Sequence, residues 1–88
     1  MYSIEFTKKA FKQLNKLTPP IRVRIISNLK RIRIRPHSFL KKIIGEPYFG
    51  LRVGDYRLII KVMDEKLIIY VVEIGHRKQI YKKLRGFT

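Results

Sequence analysis

Residues 48–62 read YFGLRVGDYRLIIKV, and this stretch predicts a tight β-hairpin. The dipeptide Gly54-Asp55 separates two β-prone runs, Tyr48–Val53 and Tyr56–Val62. Glycine beside an Asx residue favours the two-residue turns that match strand twist, because those turns need positive φ. A turn at this dipeptide fixes the register of the two strands. The expected pairs are Val53 with Tyr56, Arg52 with Arg57, Leu51 with Leu58, Gly50 with Ile59, Phe49 with Ile60, and Tyr48 with Lys61.

This register divides the hairpin into an apolar face and a charged face. The apolar face collects Phe49, Leu51, Val53, Tyr56, Leu58 and Ile60. The second face collects Tyr48, Gly50, Arg52, Arg57, Ile59 and Lys61. Like charges directly opposed across two strands destabilise a sheet, so the pairing of Arg52 with Arg57 needs an explanation. Two interpretations stay open: both side chains splay into water, or the pair forms a site for a polyanion.

Length and composition favour one small domain over residues 1–88. Apolar residues make up 45% of the chain, enough for a core, and cysteine is absent. The lack of cysteine excludes disulfides and thiolate chemistry and suits a reducing cytoplasm. Basic residues interrupt every apolar run, so we expect no membrane span. The N-terminal residues do not follow the charge order of a signal peptide, which favours a cytoplasmic protein.

The net charge is +15, from 21 Lys and Arg against 6 Asp and Glu. The excess is uneven, because residues 1–45 hold 12 basic residues and one acid, for +11. Residues 46–88 hold 9 basic and 5 acidic residues, for +4. A charge of this size favours a nucleic acid, an acidic protein or an anionic membrane as partner.

The remaining periodicities predict an α+β domain with the element order β-α-α-β-β-β-α. We expect a mostly antiparallel sheet with its helices, a helical hairpin among them, on one face. The helical hairpin has an apolar stripe at Ile21, Ile25, Leu29 and Ile32 and ends at Arg35-Pro36. The predicted elements are a strand at Tyr2–Phe6, helices before and after Thr18-Pro19-Pro20, a connector without clear period over 36–47, the hairpin, a central strand at Leu67–Ile74, a break at Gly75–Lys78, a short helix at Gln79–Arg85 packed through Ile80, Tyr81 and Leu84, and a tail at Gly86–Thr88.

The residue types available for chemistry are few. The two histidines, His37 and His76, are far apart and no carboxylate cluster lies near them, so we expect no metal and no cofactor. Arginines clamp phosphates, tyrosines stack on unpaired bases, and RNA supplies its own 2′-OH as nucleophile. Metal-free RNA cleavage therefore suits the chain. Phosphate-binding candidates are Arg52, Arg57 and Arg77 with Tyr81, and proton carriers by residue type alone are His76, Lys61, Tyr81 and Glu46.

Each candidate also has a purely structural interpretation. Arg77 and Lys78 are compatible with a solvated loop, and His76 beside Gly75 is compatible with a turn residue. Tyr81 has the spacing of a half-buried packing residue on a helix.

The order of two short motifs resembles the RelE/ParE superfamily of toxins from type II toxin–antitoxin systems. The motifs are Asp55-Tyr56-Arg57-Leu58 on a strand and, after an apolar strand, Gly75-His76-Arg77 followed by Tyr81. The ending GHRKQIY is similar to the RelE branch, including its archaeal members. The resemblance implies an mRNA interferase that cuts mRNA in the ribosomal A site by metal-free 2′-OH attack. It also implies three partners: a RelB-like antitoxin, the ribosome and mRNA.

The same resemblance implies roles for individual residues. Arg57 corresponds to an arginine that holds the scissile phosphate, and Arg77 corresponds to a catalytic arginine. Tyr81 corresponds to a tyrosine that stacks on a base or aids proton transfer. Arg52 matches a basic residue of the neighbouring strand, and we expect it to bind phosphates together with Lys61 and His76.

The chain departs from the RelE pattern at the position of the general base. That pattern supplies two lysines on the neighbouring strand, and the equivalent positions here are Tyr48 and Gly50. The base is therefore absent or replaced, and the candidates for replacement are Lys41, Lys42, Glu46 and His76.

Two other functions stay open. The first is a ParE-like toxin that inhibits DNA gyrase without cutting RNA, which the missing lysines favour. The second is a non-catalytic basic module that binds RNA through the helical hairpin, which the +11 half favours.

Overall fold

The computed structural model describes residues 1–83; the predicted helix end at Leu84 and Arg85 and the predicted tail at Gly86–Thr88 lie outside them. Within this range the strands and helices alternate much as the periodicities predict. The elements are β1 (Ser3–Phe6), α1 (Lys8–Lys16), α2 (Pro19–Ile32), α3 (Pro36–Phe39), β2 (Lys41–Lys42), β3 (Phe49–Val53), β4 (Tyr56–Met63), β5 (Ile68–His76) and α4 (Arg77–Lys83).

The sheet has five strands in the order β1-β5-β4-β3-β2. Only β1 and β5 pair in parallel, and the other neighbours are antiparallel. The predicted α+β class with a mostly antiparallel sheet is therefore confirmed. The connector at 36–47 holds two short elements that its sequence does not signal, α3 and the two-residue strand β2.

The hairpin forms with the predicted turn and register. The five pairs from Val53–Tyr56 outward to Phe49–Ile60 are those that the turn at Gly54-Asp55 requires. Gly54 has a φ of 59°, which a residue without Cβ adopts at no steric cost. The sixth expected pair, Tyr48 with Lys61, is wrong, because the ladder begins at Phe49.

The helical hairpin covers the apolar face of the sheet. Thr7 caps α1, since its side chain accepts a hydrogen bond of 3.0 Å from the Ala10 N–H. The predicted stripe of α2 is confirmed at Ile25, Leu29 and Ile32, which are fully buried. The predicted end of α2 at Arg35 is wrong: the helix ends at Ile32, three residues earlier.

The predicted break at Gly75–Lys78 is also wrong. β5 continues through Gly75 and His76 because both pair with the end of β4, Gly75 with Arg57 and His76 with Tyr56. α4 then begins at Arg77 with no intervening loop.

The final helix packs on the sheet face opposite the helical hairpin. A second apolar cluster forms there from Ile43, Ile59 and Ile80, with Tyr48, Val72 and Tyr81 packed against it. The close approach of α4 needs a glycine, because a Cβ on Gly75 would lie 3.0 Å from Ile80 Cδ1. The expectation that the helices share one face holds for the helical hairpin and is wrong for α4. Among the helices of residues 1–83, none is long and apolar enough to cross a membrane.

Glu73 on β5 ties both sets of helices to the sheet. Its carboxylate pairs with Lys9 of α1 at 3.1 Å and with Lys83 of α4 at 2.5 Å. Burial raises the pKa of Glu73, but the hydrogen bonds from Lys83 and Lys9 outweigh it and hold the pKa below its usual value. The ionised carboxylate therefore stabilises the folded chain.

We predict that Glu73→Gln lowers the free energy of unfolding at pH 7 by about 1 kcal/mol, the upper end for ion pairs whose lysines are largely exposed to solvent. A carboxyl whose pKa is lowered on folding stabilises above the pKa of the unfolded chain, and the stabilisation fades as the pH falls through the folded pKa. The difference between variant and wild type should therefore shrink below about pH 4.5, the ordinary pKa of a glutamate. Urea unfolding at pH 7, 5 and 4 checks this, with the exposed Glu65→Gln as control. A difference that does not change with pH would contradict the assignment.

Candidate active site

Arg57 is a buried charge at the end of the hairpin, with only 6% of the residue exposed. Its Nη1 donates to the carbonyls of Gly54 at 2.8 Å and Tyr56 at 2.9 Å. Its Nε donates to the Tyr81 hydroxyl at 3.2 Å. Of the two interpretations of the Arg52–Arg57 pair, splaying of both side chains into water is wrong, because only Arg52 is exposed.

The turn between β3 and β4 also positions the start of α4. The Arg77 N–H donates to the Asp55 carbonyl at 2.8 Å. The two residues of the turn thus accept hydrogen bonds from two arginines, one through its guanidinium and one through its backbone. This places the first residue of α4 directly beside the hairpin.

Tyr81 lies one helical turn after Arg77, so the two side chains share a face of α4. The Arg57 Cζ lies 5.7 Å from the centre of the Tyr81 ring. The hydrogen bond from Arg57 lowers the pKa of Tyr81 against the effect of burial, and the charges of Arg57, Arg52 and Arg77 lower it further. The charges of three predicted arginines therefore act on the phenol of the fourth predicted residue, Tyr81.

This arrangement suits a phosphodiester. Three guanidinium groups neutralise the charge of a phosphate, and a fixed guanidinium does so without reorganising during the reaction. Two of the three nitrogens of the Arg57 guanidinium are held by protein groups. Within residues 1–83 the third nitrogen, Nη2, has no hydrogen-bond partner, so it is available to an acceptor.

Lys61 and His76 lie apart from this group. Lys61 is on the same face of β4 as Arg57, but four residues along it, about 13 Å at strand rise. His76 pairs with Tyr56, and its ring packs edge-on against that tyrosine with centroids 5.7 Å apart. Because paired residues share a face and neighbours alternate, His76 projects opposite to Arg57. The role predicted for each of them in phosphate binding stays a prediction.

Strand β2 brings a lysine beside one of the positions where the RelE pattern has one. Lys41 pairs with Gly50, one of the two positions without the usual lysine, and so projects on the face of Arg52 and Arg57. Lys42 projects on the other face, where its Nζ lies 6.0 Å from the Phe49 ring centre and donates to the Glu46 carbonyl. Residue type alone did not separate the two lysines, since a two-residue strand has no periodicity to read.

The described part of the chain contains no group of three or more His, Asp or Glu residues arranged to hold a metal ion.

The family model of the ParE toxin of type II toxin–antitoxin systems matches residues 4–81. The mRNA interferase toxin RelE of Escherichia coli K12 is 30% identical over 81 residues, which cover 89% of this chain and 85% of that protein. The toxin RelG of Mycobacterium tuberculosis is 29% identical over 86 residues, which cover 93% of this chain and 98% of that one.

Solved structures of toxin–antitoxin complexes contain similar chains. A chain of the RelBE2 complex from M. tuberculosis matches with a TM-score of 0.78 and 28% identity, covering 86% of this chain and 91% of that chain. A chain of the RelB–RelE complex from Methanococcus jannaschii matches with a TM-score of 0.68 and 30% identity, covering 90% and 96%.

We predict that Arg57→Gln raises the pKa of Tyr81 toward that of an ordinary tyrosine, because it removes both the hydrogen bond and the nearest charge. Arg52→Gln and Arg77→Gln should raise it less, since they act through charge alone. An NMR titration of ¹³Cζ-labelled tyrosine measures the pKa, with Tyr81→Phe to assign the signal and Lys30→Gln as a charge control. An unchanged pKa in Arg57→Gln would contradict the contact.

Proposed function

Because the chain belongs to the RelE/ParE superfamily of type II toxin–antitoxin toxins, we propose that it is an mRNA interferase whose active site is the Arg57–Tyr81 pair with Arg52 and Arg77. The observation that carries the assignment of the site is the buried guanidinium of Arg57 held against the Tyr81 phenol. Relatives at 30% identity carry the interferase name, which favours RNA cleavage over the gyrase-directed alternative.

In the proposed reaction Arg57 orients the scissile phosphate through Nη2, while its other nitrogens are fixed by the turn and by Tyr81. Arg52 and Arg77, whose charges also act on Tyr81, neutralise the charge that builds on the phosphoryl oxygens. The 2′-oxygen attacks phosphorus, the bond from phosphorus to the 5′-oxygen breaks, and the RNA ends in a cyclic phosphate.

The reaction needs one group that accepts the 2′-OH proton and one that gives a proton to the 5′-oxygen. We assign the first role to Lys41, because β2 projects it on the same face as Arg57, two strands across and two residues along the sheet, about 12 Å away at ordinary strand spacing and rise. We assign the second role to Tyr81, whose lowered pKa makes the phenol a better proton donor.

The proposal includes the ribosome and an antitoxin as partners. An A site surrounded by RNA phosphates suits a chain of charge +15, and positioning by the ribosome would supply alignment that few groups here provide for free RNA. Similar chains are solved in complexes with RelB antitoxins, so we propose a RelB-like protein as the neutralising partner. We place the protein in the cytoplasm, where both partners would be present.

We predict that the wild type cuts mRNA at A-site codons in a translating cell-free extract and that Arg77→Ala lowers cleavage at least 100-fold, the scale of a lost charge stabiliser. Primer extension on the translated message measures the cuts, and naked RNA is the control for dependence on the ribosome. A DNA supercoiling assay runs in parallel. Full cleavage by Arg77→Ala would contradict the site, and gyrase inhibition without cuts would contradict the proposed function.

We predict that Lys41→Met lowers the cleavage rate about 100-fold, a typical contribution of a general base, while Lys42→Met changes it little. The two variants lose the same charge from neighbouring residues of one strand, but only Lys41 faces the site. Primer extension against time in the same extract measures the cleavage rate of each variant. Equal losses in both variants would show that the charge of β2 matters and that Lys41 is not the base.

A further inference from the structure

The exposed side of α2 carries a stripe of polar side chains that contact one another. Arg24, Asn28 and Arg31 are spaced by four and three residues, which places them on one face of the helix. The Asn28 amide donates to the Arg24 carbonyl at 2.8 Å. The Arg31 Nη2 donates to the Asn28 side-chain oxygen at 3.0 Å, so this guanidinium is held in place along the helix.

One end of the stripe reaches an exposed aromatic ring. The Arg31 Cζ lies 5.0 Å from the centre of the Phe39 ring, on the short helix α3. Phe39 is 43% exposed, although burying its ring would stabilise the fold. An exposed ring beside a guanidinium is an arrangement on which an unpaired base stacks.

The other end of the stripe meets the active site. A Cβ on Gly54 would lie 3.1 Å from Arg24 Nη1, so this guanidinium sits directly over the turn between β3 and β4. The carbonyl of the same glycine accepts the hydrogen bond from Arg57. Arg24 and Arg57 therefore lie against the same glycine, and this turn connects one end of the stripe with the active site.

We propose that Arg24, Asn28, Arg31 and Phe39 bind the single-stranded RNA next to the cleaved bond, a step that rests on the proposed function. The two arginines take phosphates, and Phe39 stacks on an unpaired base. Arg24 and Arg31 are seven residues apart, about 10 Å along the helix, the length of about three stacked nucleotides. We call these four residues the α2 stripe.

The chemistry of the α2 stripe favours single-stranded RNA over other polyanions. No acidic residue occurs between Glu5 and Glu46, so nothing on α2 repels a phosphate chain. Base pairing would hide the bases inside a duplex and leave Phe39 without a stacking partner. A membrane surface would need a broad apolar face beside the charges, whereas Phe39 is a single ring.

The test is binding of a 12-nucleotide RNA with 2′-O-methyl groups throughout, which removes the nucleophile. We expect Arg24→Gln and Arg31→Gln each to weaken binding at least threefold in fluorescence anisotropy. Each should also lower the slope of log affinity against log salt by about 0.7, the value for one phosphate contact on a single strand. Lys30 lies on the same helix, about 120° around its axis from Arg24 at about 100° per residue. Lys30→Gln removes the same charge and should change neither the affinity nor its salt dependence.

A second measurement isolates the stacking. The same RNA carrying 2-aminopurine should lose fluorescence when the wild type or Phe39→Tyr binds it, and Phe39→Leu should restore most of the signal and weaken binding about fivefold. A duplex of the same sequence should bind without this change.

The two proposals fail in different ways. Stripe variants that bind like the wild type, or a Phe39→Leu variant that quenches fully, would overturn the α2 stripe and leave the cleavage data for Arg77→Ala untouched. If Arg24→Gln and Arg31→Gln lost no more RNA affinity than Lys30→Gln, binding would depend on general charge attraction alone, and the α2 stripe would be overturned as well. The expected losses in binding, combined with a wild type that cuts no mRNA, would support the α2 stripe and overturn the interferase.

Discussion

The hydrogen bonds at the turn between β3 and β4 hold the rest of the site. A buried guanidinium costs several kcal/mol unless its donors are paired, and here the carbonyls of Gly54 and Tyr56 and the Tyr81 hydroxyl pair the donors on Nη1 and Nε. The next carbonyl of the turn, that of Asp55, receives the first N–H of α4. The turn between β3 and β4 therefore fixes the guanidinium of Arg57, the start of α4 and, through α4, the phenol of Tyr81.

That arrangement also resolves the conflict between two opposed arginines. Arg52 and Arg57 are paired across the hairpin, which would place like charges side by side. Arg57 instead folds back onto its own turn, while Arg52 stays in solvent. Two arginines opposed across a hairpin contribute little to stability. A site that binds a phosphate, by contrast, needs both guanidinium charges near one another.

The sequence predicts the hairpin better than it predicts the ends of α2 and β5, because the signals for the hairpin are local. The register follows from a two-residue turn and from alternation, both of which are encoded within residues 48–62. The end of β5 depends instead on pairing with β4, so Gly75 and His76 look like a break in the sequence and are strand in the fold. The predicted meeting of Arg57 with Tyr81 is found, while His76 projects to the opposite face because of that same extension of β5.

The pairing of Lys41 with Gly50 supports the proposal that β2 supplies the base. Residues paired on neighbouring strands share a face of the sheet, so Lys41 projects on the face where the RelE pattern has its lysine. The two residues of β2 are enough to make this pairing. They lie in a connector whose sequence has no clear period, so the sequence alone does not predict that Lys41 faces the site.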